Sequence, residues 1–118
     1  MPIIAAVAGA AASEKAVFAD THLRVGVYPG PVVVDLPRRV GMAWAREISL
    51  SGNFLDAATA LRIGLVNHLV AHEELLPFTM RLAQSIAEQP RAMVSALRRD
   101  GDESWGAGRR GAACSRPP

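Results

Sequence analysis

His22 and Asp20 are the residues best suited to chemistry in this chain. An imidazole, with a reference pKa of about 6.5, can take or give a proton at neutral pH. On an extended segment, residues two apart share a face. Asp20 could then orient His22 as a base, or it could be a solvated loop acid. His22 itself has a plainer alternative, a partly buried ring bonded to nearby backbone. Glu14 follows a serine after an alanine run and invites the same question. His68 and His72 have a spacing that suits a metal only if both lie on one helix. A strand is expected to end between them and no third ligand accompanies them, so no metal site is expected. Gly26, Pro29 and Gly30 are not followed by Gly-Lys-Ser/Thr, which excludes a phosphate loop.

These groups need elements to hold them. Ile3-Ile4-Ala5-Ala6-Val7 is a continuous apolar run, as in a strand covered on both faces, and Gly9 ends it. Ala16-Val17-Phe18 is a second short strand candidate. Gly26, Pro29, Gly30 and Pro31 make a loop. Val32-Val33-Val34 is β-branched and is expected to extend briefly. Val40, Trp44 and Ile48 then recur at helical spacing, which predicts a helix over about residues 38–50, stopped by Gly52. Asp56 is placed to N-cap a short helix over residues 57–63, with Gly64 just past its end. Residues 65–70 read as a strand. Leu75, Phe78, Leu82 and Ile86 mark one face of the next helix, with Glu73 and Glu74 at its positive end. Pro90 fits the first turn of a last helix over residues 91–99. After Asp100 the periodicity disappears among Gly101, Gly106, Gly108 and Gly111, so residues 101–118 read as a disordered or loosely attached tail behind a domain of residues 1–100.

Size and composition set the frame. A chain of 118 residues is one domain at most, with a modest core. Aromatics make up 5%, so that core must be built from Ala, Val, Leu and Ile. The net charge of +2 does not point to nucleic acid. Cys114 is the sole cysteine, which excludes an internal disulfide and fits a reducing, cytoplasmic setting. The apolar start has no Lys or Arg before it and is too short to cross a bilayer, so neither a signal peptide nor a membrane partner is expected.

The segment over residues 46–77 resembles the crotonase (enoyl-CoA hydratase/isomerase) family. The words that carry it are Leu50-Ser51-Gly52, Asp56-Ala57-Ala58-Thr59-Ala60-Leu61, Gly64-Leu65-Val66-Asn67 and Val70. Pro2-Ile3-Ile4-Ala5-Ala6-Val7-Ala8-Gly9 looks like the family's central strand. Ala12-Ser13-Glu14-Lys15-Ala16-Val17-Phe18 resembles a later family segment joined directly onto that strand, which makes Glu14 a turn residue. The resemblance covers roughly residues 2–100. It implies a shortened member without the long N-terminal part or the Gly-Gly pair and helix that carry one catalytic glutamate. The implied fold class is α/β, part of the crotonase-like spiral, with short strands N-terminal and helices C-terminal.

The implied chemistry is hydration or isomerisation of an enoyl-CoA double bond in fatty-acid metabolism. It needs backbone N–H groups aimed at the thioester oxygen and acid–base groups that move a proton. The stretch from Phe18 to Gly30 resembles the segment with the family's second glutamate, and His22 falls where that glutamate is expected. His22, oriented by Asp20, is then the catalytic candidate. Gly26, Pro29 and Gly30 become the loop where small residues let substrate approach the backbone. The substrate is an acyl-CoA thioester, CoA being part of it, and no separate cofactor is implied. Copies of the chain or other crotonase-family chains are candidate partners. The alternative is a non-catalytic family remnant or interaction module, since uncovered apolar faces recruit partners. A third reading takes residues 38–63 as a DNA-binding helix-turn-helix with Arg38, Arg39, Arg46 and Arg62. Its recognition helix offers only Thr59 and Arg62, too few for base readout, so nucleic acid is not expected.

Overall fold

The computed structural model describes residues 11–113. The apolar run at residues 3–7 and Cys114 lie outside the described residues.

The first described element is a strand that hydropathy alone does not announce. Strand β1 (Ala11–Ser13) runs parallel to β4 (His68–Val70), with Ala11 opposite His68 and Ser13 opposite Val70. The ladder is prolonged by the Glu14 amide, which donates to the Val70 carbonyl at 2.8 Å. Glu14 sits in the turn after β1, where its side chain is exposed. Strand β2 (Val17–Phe18) pairs antiparallel with β3 (Leu55–Asp56), Phe18 opposite Leu55. Parallel partners need a long crossover, and here the helices between residues 32 and 62 supply it.

Val32-Val33-Val34 is helical, contrary to its β-branched composition. Helix α1 spans Val32–Val40, and the Gly30 and Pro31 carbonyls accept the amides of Val33, Val34 and Asp35 at 3.0–3.1 Å. A β-branched residue costs only about 0.5 kcal/mol in a helix, which a proline-fixed first turn and tertiary packing override. The single helix expected over 38–50 is two helices. α1 ends at Val40, Gly41 turns the chain with φ 85° and ψ 160°, and α2 (Met42–Ser51) begins at once. Gly52 does close α2, in the left-handed conformation with φ 64°.

Helix α3 (Ala57–Arg62) has the ends its sequence announces. Asp56 Oδ1 accepts from the Thr59 amide at 2.7 Å, an N-cap. At the other end the Leu65 amide reaches the Ala60 carbonyl at 2.9 Å and the Gly64 amide reaches Leu61 at 3.2 Å. Those two bonds form a Schellman motif around a left-handed Gly64, φ 83°. They also explain why the strand is shorter than expected. Leu65 and Val66 spend their amides on Ala60 and bury their side chains, leaving only His68–Val70 for the ladder.

Helices α4 (Leu75–Ala87) and α5 (Arg91–Ala113) complete the chain. α5 does not stop at residue 99, so the tail expected to be loose after Asp100 is helical as far as Ala113. A glycine ends a helix when it turns left-handed. Gly101 keeps an ordinary φ with open space where a Cβ would stand.

The core is small and alanine-rich, as a chain poor in aromatics requires. Ala12, Val40, Ala45, Ile48, Ala60, Leu65 and Val66 form it, with Phe18, Leu36, Trp44 and Leu55 packed around. Two arginines of the helix-turn-helix reading serve this packing. Arg39 Nε donates to the Leu65 carbonyl at 3.0 Å, and the Arg62 guanidinium lies over Trp44, 5.9 Å from the ring centre.

Candidate functional site

The site is built on a single 3-10 turn, His22–Val25, closed by Gly26 in the left-handed conformation, φ 72°. The Val27 amide returns to the His22 carbonyl at 2.9 Å. Asp20 precedes the turn and organises it. Its Oδ1 accepts the His22 backbone amide at 3.2 Å, an Asx-type turn, and the same oxygen lies 2.5 Å from His22 Nδ1. Its Oδ2 accepts from Ser49 Oγ on α2 at 2.8 Å.

Asp20 is therefore not a solvated loop acid. It is buried at 8% exposure, while the His22 side chain it holds is 43% exposed. Nor does the pair meet across an extended segment. The chain bends after Asp20, and the carboxylate reaches forward to both nitrogens of His22 that face it.

Burial works against the Asp20 charge. The hydrogen bonds from the His22 ring, Ser49 and the His22 amide outweigh it, and the carboxyl is held below the usual carboxylate range. An ionised carboxylate only accepts hydrogen bonds, so Nδ1 carries the proton. In the neutral ring the lone pair then sits on Nε2, which has no partner among the described residues. The arrangement is an imidazole whose tautomer is selected by a buried carboxylate.

A second set of contacts docks the turn on the end of α2. Arg24 donates to Asn53 Oδ1 at 3.3 Å and passes directly over Gly52. Gly26 belongs to the same turn as His22. Pro29 and Gly30 lie at the foot of α1, where Gly30 has φ 69° and accepts the Val33 amide. A Cβ at Gly26 or Gly30 would meet nothing within 4 Å, so the backbone is open on that side at both.

The other histidines stand apart. His68 packs its ring 4.9 Å from Phe78, and His72 Nδ1 is 2.9 Å from the Ser13 hydroxyl. Among the described residues no three His, Cys, Asp or Glu side chains gather as a metal would need. Ser49 and Arg24 are the site contacts that sequence reasoning missed. Ser49 falls beside the apolar face marked by Trp44 and Ile48, and nothing local connects it to Asp20.

The enoyl-CoA hydratase/isomerase family description matches residues 1–105. The chain belongs to the enoyl-CoA hydratase/isomerase family. Its fold is the crotonase fold, α/β, with strands mostly in the N-terminal half and helices toward the C-terminus. The crystal structure of an enoyl-CoA hydratase from Mycobacterium tuberculosis H37Rv superposes with a TM-score of 0.84 and 41% identity, over 96% of this chain and 53% of that one. A probable enoyl-CoA hydratase of Rhizobium meliloti (strain 1021) is 38% identical over 112 residues, 80% of this chain and 44% of the relative. A probable peroxisomal enoyl-CoA hydratase 1 of Arabidopsis thaliana is 38% identical over 84 residues, 70% of this chain and 32% of the relative. The chain thus spans about a third to a half of the length of these curated relatives. None of its described helices is long and apolar enough to cross a membrane.

Proposed function

We propose that this crotonase-family chain acts on acyl-CoA thioesters, adding water across the enoyl double bond or moving that bond, with His22 as the acid–base group. The observation that supports the reading best is the buried Asp20 carboxylate on Nδ1 of the half-exposed His22. In hydration, water gives its oxygen to C3 and a proton to C2. His22 Nε2 takes the proton of the attacking water, Asp20 stabilises the imidazolium so formed, and the ring returns a proton to C2. In isomerisation the same nitrogen takes a proton from C2 and returns it at C4. Gly26, Pro29 and Gly30 leave the backbone open beside the turn and are the proposed substrate contacts. CoA enters as part of the substrate. A cytoplasmic setting fits the lone cysteine.

Hydration of crotonyl-CoA, followed by loss of enoyl-thioester absorbance, tests this. Activity is expected from the folded chain, with a drop of about 100-fold or more in His22→Ala. Background turnover by a folded sample would sink the enzyme reading, and activity indifferent to His22→Ala would sink the role of His22.

A second reading is favoured by the apolar surface of α4 and α5. Leu76 is 75% exposed and Leu97 77% exposed, and α4 buries no residue fully. In that reading the chain is an interaction module that assembles with its own copies or with other family chains. Sedimentation over a range of concentrations checks it, a strictly monomeric chain being the contrary result for self-association.

A further inference from the structure

We infer that Ser49 is a positioning residue for His22, acting through Asp20, so that helix α2 sets the direction in which the imidazole presents Nε2. The inference rests on the acid–base reading of the Asp20–His22 pair.

The first argument is what Ser49 does not do. A serine inside a helix normally turns its hydroxyl back to the carbonyl four residues earlier. Ser51 does so toward Glu47 and Ser85 toward Arg81. Ser49, on the same helix as Ser51, instead donates at 2.8 Å to Asp20 Oδ2, a residue 29 positions away in the chain.

The second argument is the division of the two carboxylate oxygens. Oδ1 takes both bonds from His22, to its amide and its ring. A carboxylate held at one oxygen can still turn, because its terminal torsion is broad and two-fold. The Ser49 hydroxyl on Oδ2 fixes the plane, and with it the line along which Nδ1–H must point. At 8% exposure little water can take that place if the hydroxyl is removed.

The third argument is that the residues just past the end of α2 already hold the turn through the Arg24 side chain. Arg24 lies over Gly52 and bonds Asn53. The turn therefore meets the end of α2 at Ser49, Gly52 and Asn53. Arg24 anchors the turn, and Ser49 aims the acid. Ser49 itself touches neither water nor thioester in this scheme.

Nitrogen-15 NMR of the His22 ring in the full chain tests the proposal without relying on turnover. The wild type is expected to show the Nδ1–H tautomer. Ser49→Ala, with an unchanged circular dichroism spectrum, is expected to mix the two tautomers and to move the Asp20 carboxyl titration upward. Its kcat for crotonyl-CoA hydration is expected to fall about tenfold or more with KM held, the loss of roughly one hydrogen bond to a charged group. Ser49→Thr is expected to restore tautomer and kcat together. Ser49→Cys keeps the volume with a weaker donor and is expected to lie between, which serves if the alanine variant does not fold. A wild-type tautomer and Asp20 titration in a folded Ser49→Ala or Ser49→Cys would overturn the proposal. A tautomer that depends on Ser49 in a chain without hydratase activity would uphold the positioning and remove only the acid–base reading.

Discussion

Arg24 lies across Gly52 so closely that a Cβ there would stand 2.7 Å from Arg24 Nε and 3.1 Å from its Cγ. Gly52 also has φ 64° and closes α2 by donating to the Ile48 carbonyl at 3.1 Å. One glycine thus satisfies two demands. It ends the helix left-handed, and it leaves room for the side chain that ties the His22 turn to Asn53.

Gly52→Ala is expected to lower stability by about 1–2 kcal/mol, most of it from the left-handed backbone and less from a flexible side chain that can move aside. Urea denaturation measures it. Adding Arg24→Ala to that variant should recover only the steric part. Full recovery would mean that the backbone conformation costs nothing here.

Ala60 is 0% exposed, and its carbonyl accepts the amides of both Leu65 and Val66 at 2.9 and 3.3 Å. A core made of small residues has no slack at such a point. Ala60→Leu is expected to cost about 1–3 kcal/mol by overpacking. A thermal melt that leaves this variant as stable as the wild type would show that the core is looser than its packing implies.

Asp20 makes stability depend on pH in a stated direction. Burial raises its pKa, but the bonds from His22 and Ser49 prevail and hold it below its ordinary value. The folded chain then binds fewer protons than the unfolded one in that range. The stabilisation is complete above the unfolded pKa of about 4 and is lost as pH falls through the lower folded value. Urea midpoints over an acid series should therefore decline for the wild type below about pH 4, and decline less steeply in Asp20→Asn. Identical slopes for the two chains would exclude Asp20 as a source of the effect.

Asp56 acts in the same sense by a simpler route. Its exposed carboxylate caps α3 through the Thr59 amide, and hydrogen bonding from the Thr59 side chain, then from that amide, lowers its pKa. Asp56→Ala should reduce the melting temperature, and Asp56→Ser should restore most of the loss because serine also caps. Equal losses from the two substitutions would show that the cap is not what Asp56 supplies.

Some expectations failed for an identifiable reason. Val32-Val33-Val34 looked extended because β-branched residues prefer strands, yet Gly30 and Pro31 place their carbonyls to start a helix. Propensity yields where packing and a fixed first turn agree. Residues 101–118 looked loose because the apolar periodicity disappears among glycines, but Gly101 has no positive φ and the helix runs on through it to Ala113. Asp20 looked exposed because an acid beside loop residues usually is. Its burial comes from α2, which approaches from far along the chain.

The sequence by itself determined the family, the helix ends at Gly52, Asp56 and Gly64, and the alanine-rich character of the core. The helix ends rest on residues within about six positions of one another, where backbone geometry and capping bonds are local, and the family and the core rest on sequence words and composition that need no contacts to be read. Only the tertiary structure decided that Ala11–Ser13 pairs with His68–Val70, and that Ser49 reaches Asp20 across 29 positions. Such pairings follow from how the core closes, because a hydrogen bond between distant residues forms only after packing has offset the entropy of bringing them together. The chemistry readable in His22 is local, and the acid that aims it is held by the fold.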